Sequence, residues 1–257
     1  MLETLITRHL GFHDTRRPMA AMEIDYPNAS STGLHSHPRC QLLYAIEGVM
    51  VVRSSVGSWV VPPNRAVWLE AGLEHEVRMC GSVKIRTVFV AQTAAPHLPK
   101  TSCVIAVPPL LKELIVAAVD IPLDYEAGTR DERLMQLLLD ELRQVNVLPL
   151  HLPRPRDSRI RIICETLLAR PDDVTTVEQW AESLAITPRT IHRLFAQETG
   201  MTFGLWRQQA RLMVALERLA RGDRIIDVAL DIGYTSHSAF TAMFRKHFGV
   251  APGEFYR

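Results

Sequence analysis

Apolar and polar positions follow two rhythms along this chain, and the change of rhythm divides it. From about residue 34 to 90 the apolar runs are short: 41–46, 50–53, 58–61, 66–69, 74–78 and 83–90. Turn signals separate them at Glu47-Gly48, Val56-Gly57, Pro62-Pro63-Asn64, Ala71-Gly72 and Cys80-Gly81. Many short strands bounded by Gly and Pro predict a small all-β barrel or sandwich. The residues up to about Asp25 show no clear period. Beyond residue 109 the period lengthens. Residues 109–121 place Leu110, Leu114 and Ala117 at helical spacing, and residues 129–145 do the same with Leu134, Leu137, Leu138 and Leu142. Two amphipathic helices after a barrel either cover its open face or form a dimer seam.

Pro149, Pro153 and Pro155 then fall close together among arginines. Prolines at this density exclude a helix interior and predict an extended linker. The expected organisation is two-domain: residues 1–95 an all-β barrel, 96–148 a helical dimerisation or cover element, 149–157 the linker, and 158–257 an all-α domain.

The last hundred residues repeat one pattern. A first helix over 159–169 stops at Pro171. Thr175 and Glu178 fit a capping box, ahead of an apolar stripe at Val177, Ala181 and Leu184. Thr187 is a good N-cap and Pro188 sits at the favoured first helical position. The helix so started buries Ile191, Leu194 and Phe195 and shows Arg189, Thr190, His192 and Arg193. Further on, Ile225, Val228, Ala229 and Ile232 form a helix stopped by Gly233. Ser236 caps another, which buries Phe240, Met243, Phe244 and Phe248 and ends at Gly249. Its outer face shows His237, Ser238 and Thr241, with Arg245 and Lys246 late in the helix. Ile191 and Phe240 lie 49 residues apart. Between the copies runs one long helix, about 203–221, with Leu205, Leu212, Leu216 and Leu219 inward. It spans roughly 30 Å, close to the ~34 Å between successive major-groove faces of B-DNA.

A single such match is also what two packed helices look like, and Arg or His on a helix surface is most often a solvated face. The tandem copy at groove spacing is what points to double-stranded DNA. Net charge adds a constraint: it is only +1 over 257 residues, so DNA binding must come from a local patch. Residues 158–257 hold 13 Lys and Arg against 11 Asp and Glu, too small a bias to argue from. Hydrophobic content of 47% and charged content of 22% are ordinary for a soluble globular protein. Cys40, Cys80, Cys103 and Cys164 form no CxxC, which fits free thiols in a reducing cytosol. The start lacks a signal-peptide core and no apolar run approaches ~20 residues, so a cytoplasmic protein with no membrane span is expected.

The tail Gly233-Tyr234, Ser236, Ser238-Ala239-Phe240, Phe244-Arg245-Lys246, Phe248-Gly249, Pro252 and Tyr256-Arg257 resembles the signature of the AraC/XylS family of bacterial transcription regulators, over residues 158–257. The resemblance implies two reading helices in two major grooves. It carries base-contact roles onto Arg189, His192 and Arg193, and onto His237, Ser238 and Thr241. Thr190 and Ser236 stand beside them at the DNA. Ala242 departs from members with a long polar residue there, which weakens direct readout at that point. Arg245 and Lys246 suit phosphate contact or compensation of the helix C-terminus.

Gly33-Leu34-His35-Ser36-His37, with Gln41 and Gly48, resembles the first motif of the cupin barrel. Gln41 stands where that family usually has Glu. Pro63, Gly72 and His75 resemble the second motif, with Glu70 in place of its proline. His35 and His37 at i, i+2 point to one face of a strand. His75 could join them, with Gln41 as a weak oxygen ligand, to hold a divalent transition metal; three imidazoles suit Zn, Ni, Cu or Fe. The other reading makes these histidines pocket-lining or vestigial. Arg39, Tyr44, Trp59 and Trp68 are the expected lining of a small-molecule pocket at the barrel mouth, although alternation puts about half of such aromatics in plain core. The fold class is thus a cupin-like barrel with flanking helices joined to an all-α tandem helix-turn-helix. The expected protein is an effector-controlled transcriptional regulator, not an enzyme. Its expected partners are promoter or operator DNA, a small-molecule effector, RNA polymerase and a second copy in a homodimer. The rival is a metal-dependent cupin enzyme, or a metal-sensing regulator, fused to a DNA-binding module.

Overall fold

The computed structural model describes residues 11–94, 96–143, 146–148 and 150–255. Expectations placed on residues 1–10, Val145, Pro149, Tyr256 and Arg257 lie outside these. The strands are β1 (Met19–Tyr26), β2 (Cys40–Ser54), β3 (Gly57–Val61), β4 (Arg65–Leu69), β5 (His75–Val90), β6 (Cys103–Ala106), β7 (Val147–Leu148) and β8 (His151–Pro153). The helices are α1 (Pro109–Ala118), α2 (Arg130–Leu142), α3 (Ser158–Ala169), α4 (Val177–Ser183), α5 (Pro188–Thr199), α6 (Phe203–Ala220), α7 (Ile225–Asp231) and α8 (His237–Phe248). Two compact units result, Met1–Ser54 with Val61–Pro149 and Ser55–Val60 with Leu150–Arg257.

In the first unit, strands β1-β5-β2-β4-β6-β7 lie side by side in that order, each pair antiparallel. Two departures from the sequence reading matter. β1 lies in the segment without a period and pairs with β5 along its whole length. The glycines at 48 and 81, read as turns, lie inside two long strands. Both have positive φ (+82° and +84°). Glu47 pairs with Lys84 and Val49 with Cys80, so extra β5 residues are accommodated in a bulge opposite Gly48. A Cβ at Gly48 would come within 2.4 Å of the Ser82 carbonyl oxygen. Glycine here permits a bend in a continuous ladder, which from sequence looks the same as a turn.

Helices α1 and α2 share the core of this sheet. Leu111, Leu114, Ile115, Met135, Leu138 and Leu142 pack with Met19, Leu42, Tyr44, Trp68 and Val88. The inward stripe of α1 is rotated from the expected one, since Leu110 is exposed and Leu111 is fully buried. Leu137 of α2 is exposed as well, and Leu134 is half-buried.

The second unit is built on local signals. Asp157, Thr176, Thr187, Thr202 and Ser236 each accept a hydrogen bond from a first-turn backbone N–H, starting α3, α4, α5, α6 and α8. The capping box lies one residue later than expected: Thr176 and Gln179 form it, in place of Thr175 and Glu178. Gly200 and Gly249 end α5 and α8 in the left-handed conformation. In α6 the inward positions are Phe203, Trp206, Ala210, Met213, Leu216 and their neighbours, while Leu205 is exposed; Trp206 takes the place expected for it. Residues 151–153 of the expected linker form β8, paired with β3 through Gly57↔Pro153, Ser58↔Leu152 and Trp59↔His151. Trp59 stacks on His151 at 4.7 Å between ring centroids, and β8 packs on α5 and α6.

Candidate DNA interface and histidine pocket

Two helix pairs in the second unit have the same local frame. In the first, α4 ends on a hydrogen bond from Ile186 N–H to the Ala181 carbonyl, with Ala185 left-handed at φ +51°. In the second, α7 ends with Tyr234 N–H donating to the Ala229 carbonyl and Gly233 left-handed at φ +84°. Ala185 and Gly233 are 48 residues apart, whereas the caps Thr187 and Ser236 are 49 apart. The second turn is therefore one residue longer.

Beyond each turn the buried face anchors the helix and the opposite face is open. Ile191, Leu194 and Phe195 of α5 are buried, and Phe195 meets Phe203 and Trp206 edge-on. Arg189, His192 and Arg193 are exposed, and Arg193 Nη1 donates to Gln197 Oε1 at 2.7 Å, one turn along. Thr190 is half-buried and shares a hydrogen bond with the Thr187 hydroxyl at 2.9 Å. In α8, Phe240 and Phe244 are fully buried, worth about 1.5–3 kcal/mol each. Met243 and Phe248 are only half-buried. Phe248 lies against Phe244 and Phe255, each at 4.6 Å. Ser236, His237, Ser238, Arg245 and Lys246 are exposed. Thr241 differs: its hydroxyl is enclosed and has no protein hydrogen-bond partner, so it faces the packing side and not the open one. Arg218 of α6 bonds Asp223 at 2.7 Å and Asp231 at 2.8 Å, which holds α7 against the long helix.

The first unit gathers histidines. His35 and His75 form an isolated antiparallel pair, exchanging N–H···O bonds of 2.9 and 2.8 Å, and the His37 carbonyl accepts from Gly72 N–H at 2.7 Å. This backbone pairing brings one ring nitrogen from each of His35, His37 and His75 within 4.8 Å of the others. His35 Nδ1 is tied to the Gly33 carbonyl at 2.9 Å and His75 Nδ1 to the Leu73 carbonyl at 2.8 Å. Each donates there, which leaves Nε2 as the nitrogen that can accept or ligate in a neutral ring. His75 Nε2 is buried without a partner, and burial pushes its imidazole down to about 4, so the ring is neutral at neutral pH. Gln41 lines the same cavity; its amide donates to the Thr87 hydroxyl at 3.2 Å, and its Oε1 is buried without a partner. Three imidazoles with their ring nitrogens gathered together, beside an amide oxygen, fit a divalent late transition metal. The cavity leaves about 20 Å³, enough for a water or an ion and too little for an organic molecule.

Sequence reasoning missed His13, which lies in a helical turn at residues 11–14 and pairs Nε2 with His37 Nδ1 at 3.0 Å. Only spacing could have found it, and its segment has none.

The four residues expected to line an effector pocket are not brought together. Tyr44 and Trp68 are buried in the core under α1 and α2; strand alternation turns them away from Gln41 and Leu43, which face the histidine cavity. Trp59 packs with His151 in the second unit. Arg39 is buried and donates to the carbonyls of His13, Thr15, Arg17 and Pro18.

Comparison with known proteins agrees with this division. Residues 18–151 match the family described as AraC-like ligand binding domain, and residues 180–257 match a helix-turn-helix domain. The chain is 35% identical over 222 residues to the HTH-type transcriptional regulator NimR of Escherichia coli K12, covering 86% of this chain and 81% of NimR. It is 36% identical over 103 residues to the regulator RipA of Corynebacterium glutamicum, covering 40% of this chain and 31% of RipA. Among solved structures, ToxT from Vibrio cholerae is similar with a TM-score of 0.39 and 10% identity, over 93% of this chain and 98% of that one. Among the described residues no helix is long and apolar enough to cross a membrane. The chain belongs to the AraC family of transcriptional regulators, with a ligand-binding N-terminal domain and a DNA-binding helix-turn-helix domain.

Proposed function

We propose that this regulator reads two consecutive major-groove faces of its operator with the first turns of α5 and α8. Arg189, His192 and Arg193 supply base contacts from α5, with Thr190 at its edge. His237 and Ser238 supply them from α8, with Ser236 at its cap. Arg245 and Lys246 meet phosphates. The observation that carries the reading is the repeated frame: two capped helices, each anchored by buried aromatics, each with an open polar face. The 18 residues of α6 between them span about 27 Å. Thr241 is assigned to packing on account of its enclosed hydroxyl. The test is fluorescence anisotropy on DNA from upstream of its own gene. Arg193→Ala is expected to weaken specific binding by about 1–3 kcal/mol and His237→Ala by less. Unchanged affinity in both would remove α5 and α8 as the readers.

The same reading gives the first unit a sensing role in place of catalysis, in a cytoplasmic homodimer acting on RNA polymerase at the promoter. Among the described residues none lining its histidine cavity is a carboxylate, and the cavity is too small for an organic substrate. An organic effector fits better in a cleft of about 370 Å³ lined by Cys40, Trp68, Glu70, Gln92, Leu98 and Lys100, within the usual size of ligand pockets. Exposed Leu110 and Leu137 are apolar positions open to a second copy.

A second reading is favoured by the histidine cluster itself: the cavity holds one divalent late transition metal on His35, His37 and His75, with the Gln41 oxygen facing it. Such an ion would bind as a Lewis acid to neutral imidazole nitrogens.

A further inference from the structure

We propose that His13 is a positioning residue for that metal site, acting as the outer hydrogen-bond partner of His37. This rests on the metal reading of the pocket. A ligating imidazole is oriented by what its other ring nitrogen bonds, and that partner sets both the tautomer and the basicity of the ring. Two of the three imidazoles have such partners from their own stretch of chain: Gly33 O for His35 and Leu73 O for His75, each at Nδ1 and each two residues away in sequence. For His37 the partner at Nδ1 is His13 Nε2 at 3.0 Å, 24 residues away. All three rings are thus held at Nδ1, and Nε2 is the nitrogen a shared ion would use.

The chemistry of His13 agrees with this role. Its Nε2 lies 3.0 Å from His37 Nδ1, in position to accept a hydrogen bond from it. Its ring sits 4.7 Å from those of both His37 and Phe89. The segment that carries it is fastened from below by Arg39, whose guanidinium donates to carbonyls of His13, Thr15, Arg17 and Pro18. A buried arginine given to backbone carbonyls, with no carboxylate among these partners, fixes the chain that it holds. Here that chain delivers one imidazole to the histidine cluster.

The test is a titration of the full-length protein with cobalt(II), read by its visible ligand-field bands, and with zinc, read by calorimetry. Wild type is expected to bind one ion and His35→Ala to lose it. His13→Ala is expected to bind 10- to 100-fold more weakly, with shifted cobalt bands. His13→Gln, whose amide oxygen can accept from His37, is expected to recover most of the affinity and the wild-type spectrum. Wild-type affinity and spectrum in His13→Ala would overturn the assignment of His13 while leaving the metal site intact. Equal weakening in His13→Ala and His13→Gln with an unshifted spectrum would also overturn it, since a space-filling role would suffice. No cobalt or zinc binding by wild type would end the metal reading, and this role with it.

Discussion

The two helix-turn-helix units solve one problem with different residues. Each must reverse the chain between a short helix and a reading helix through a residue in the left-handed region. The first helix-turn-helix uses Ala185 at φ +51°, and the second uses Gly233 at φ +84°. The difference follows from what surrounds the turn. A Cβ at Gly233 would stand 2.9 Å from Arg211 Nη2 and 3.1 Å from the Asp172 Cα, and Arg211 is itself committed to the Pro171 carbonyl at 2.7 Å. Around Ala185 a side chain is evidently accommodated. The glycine at the second turn thus answers to close packing as well as to backbone freedom. At the first turn only the backbone cost remains.

The reading helices differ too. The outer face of α5 offers Arg189 and Arg193, the latter braced by Gln197, and arginine pairs bidentately with guanine. The corresponding part of α8 offers His237, Ser238 and Ala242, all exposed, which discriminate less. Its cations come late, at Arg245 and Lys246. On the proposed reading, the first helix carries more of the base discrimination and the second more of the phosphate anchoring.

Three substitutions test this contrast. Gly233→Ala is expected to have the largest effect, lowering stability by roughly 2–3 kcal/mol through left-handed strain plus the contact with Asp172. Urea unfolding would show it; a loss no greater than a few tenths would mean that the turn relaxes freely. Ala185→Gly should act in the opposite direction, raising stability by about 1 kcal/mol because only strain is relieved there. If it destabilises, the chain entropy of glycine outweighs that strain. The smallest effect is expected from Lys246→Ala, which should weaken binding to all DNA sequences alike and reduce the slope of log affinity against log salt by about 1. A loss confined to one operator sequence would instead make Lys246 a base reader.

Legibility varied across the molecule for a physical reason. The second unit was readable because its signals act over three or four residues. Thr187 and Ser236 cap helices at their own positions, and Gly249 stops the last one. Departures there are small: the capping box starts at Thr176, and Trp206 lies inward in place of Leu205. In the first unit the apolar alternation showed strands but could not distinguish a bulge from a turn at Gly48 and Gly81. It also missed β1, whose residues are buried on both faces along much of their length. His35, His37 and His75 stand out by their motif, but of the three aromatics expected in a common pocket Tyr44 and Trp68 enter the core under α1 and α2, while Trp59 stacks on His151.

By itself, then, the amino-acid sequence determined the tandem helical repeat, its caps and stops, and the polar faces of the two reading helices. These depend on neighbours along one helix. Only the tertiary structure decided that His35 lies opposite His75 across a backbone pair, and that Arg39 fastens a distant segment bringing His13 to His37. Those meetings depend on strand register and on chain closure over tens of residues, and no short-range pattern encodes them.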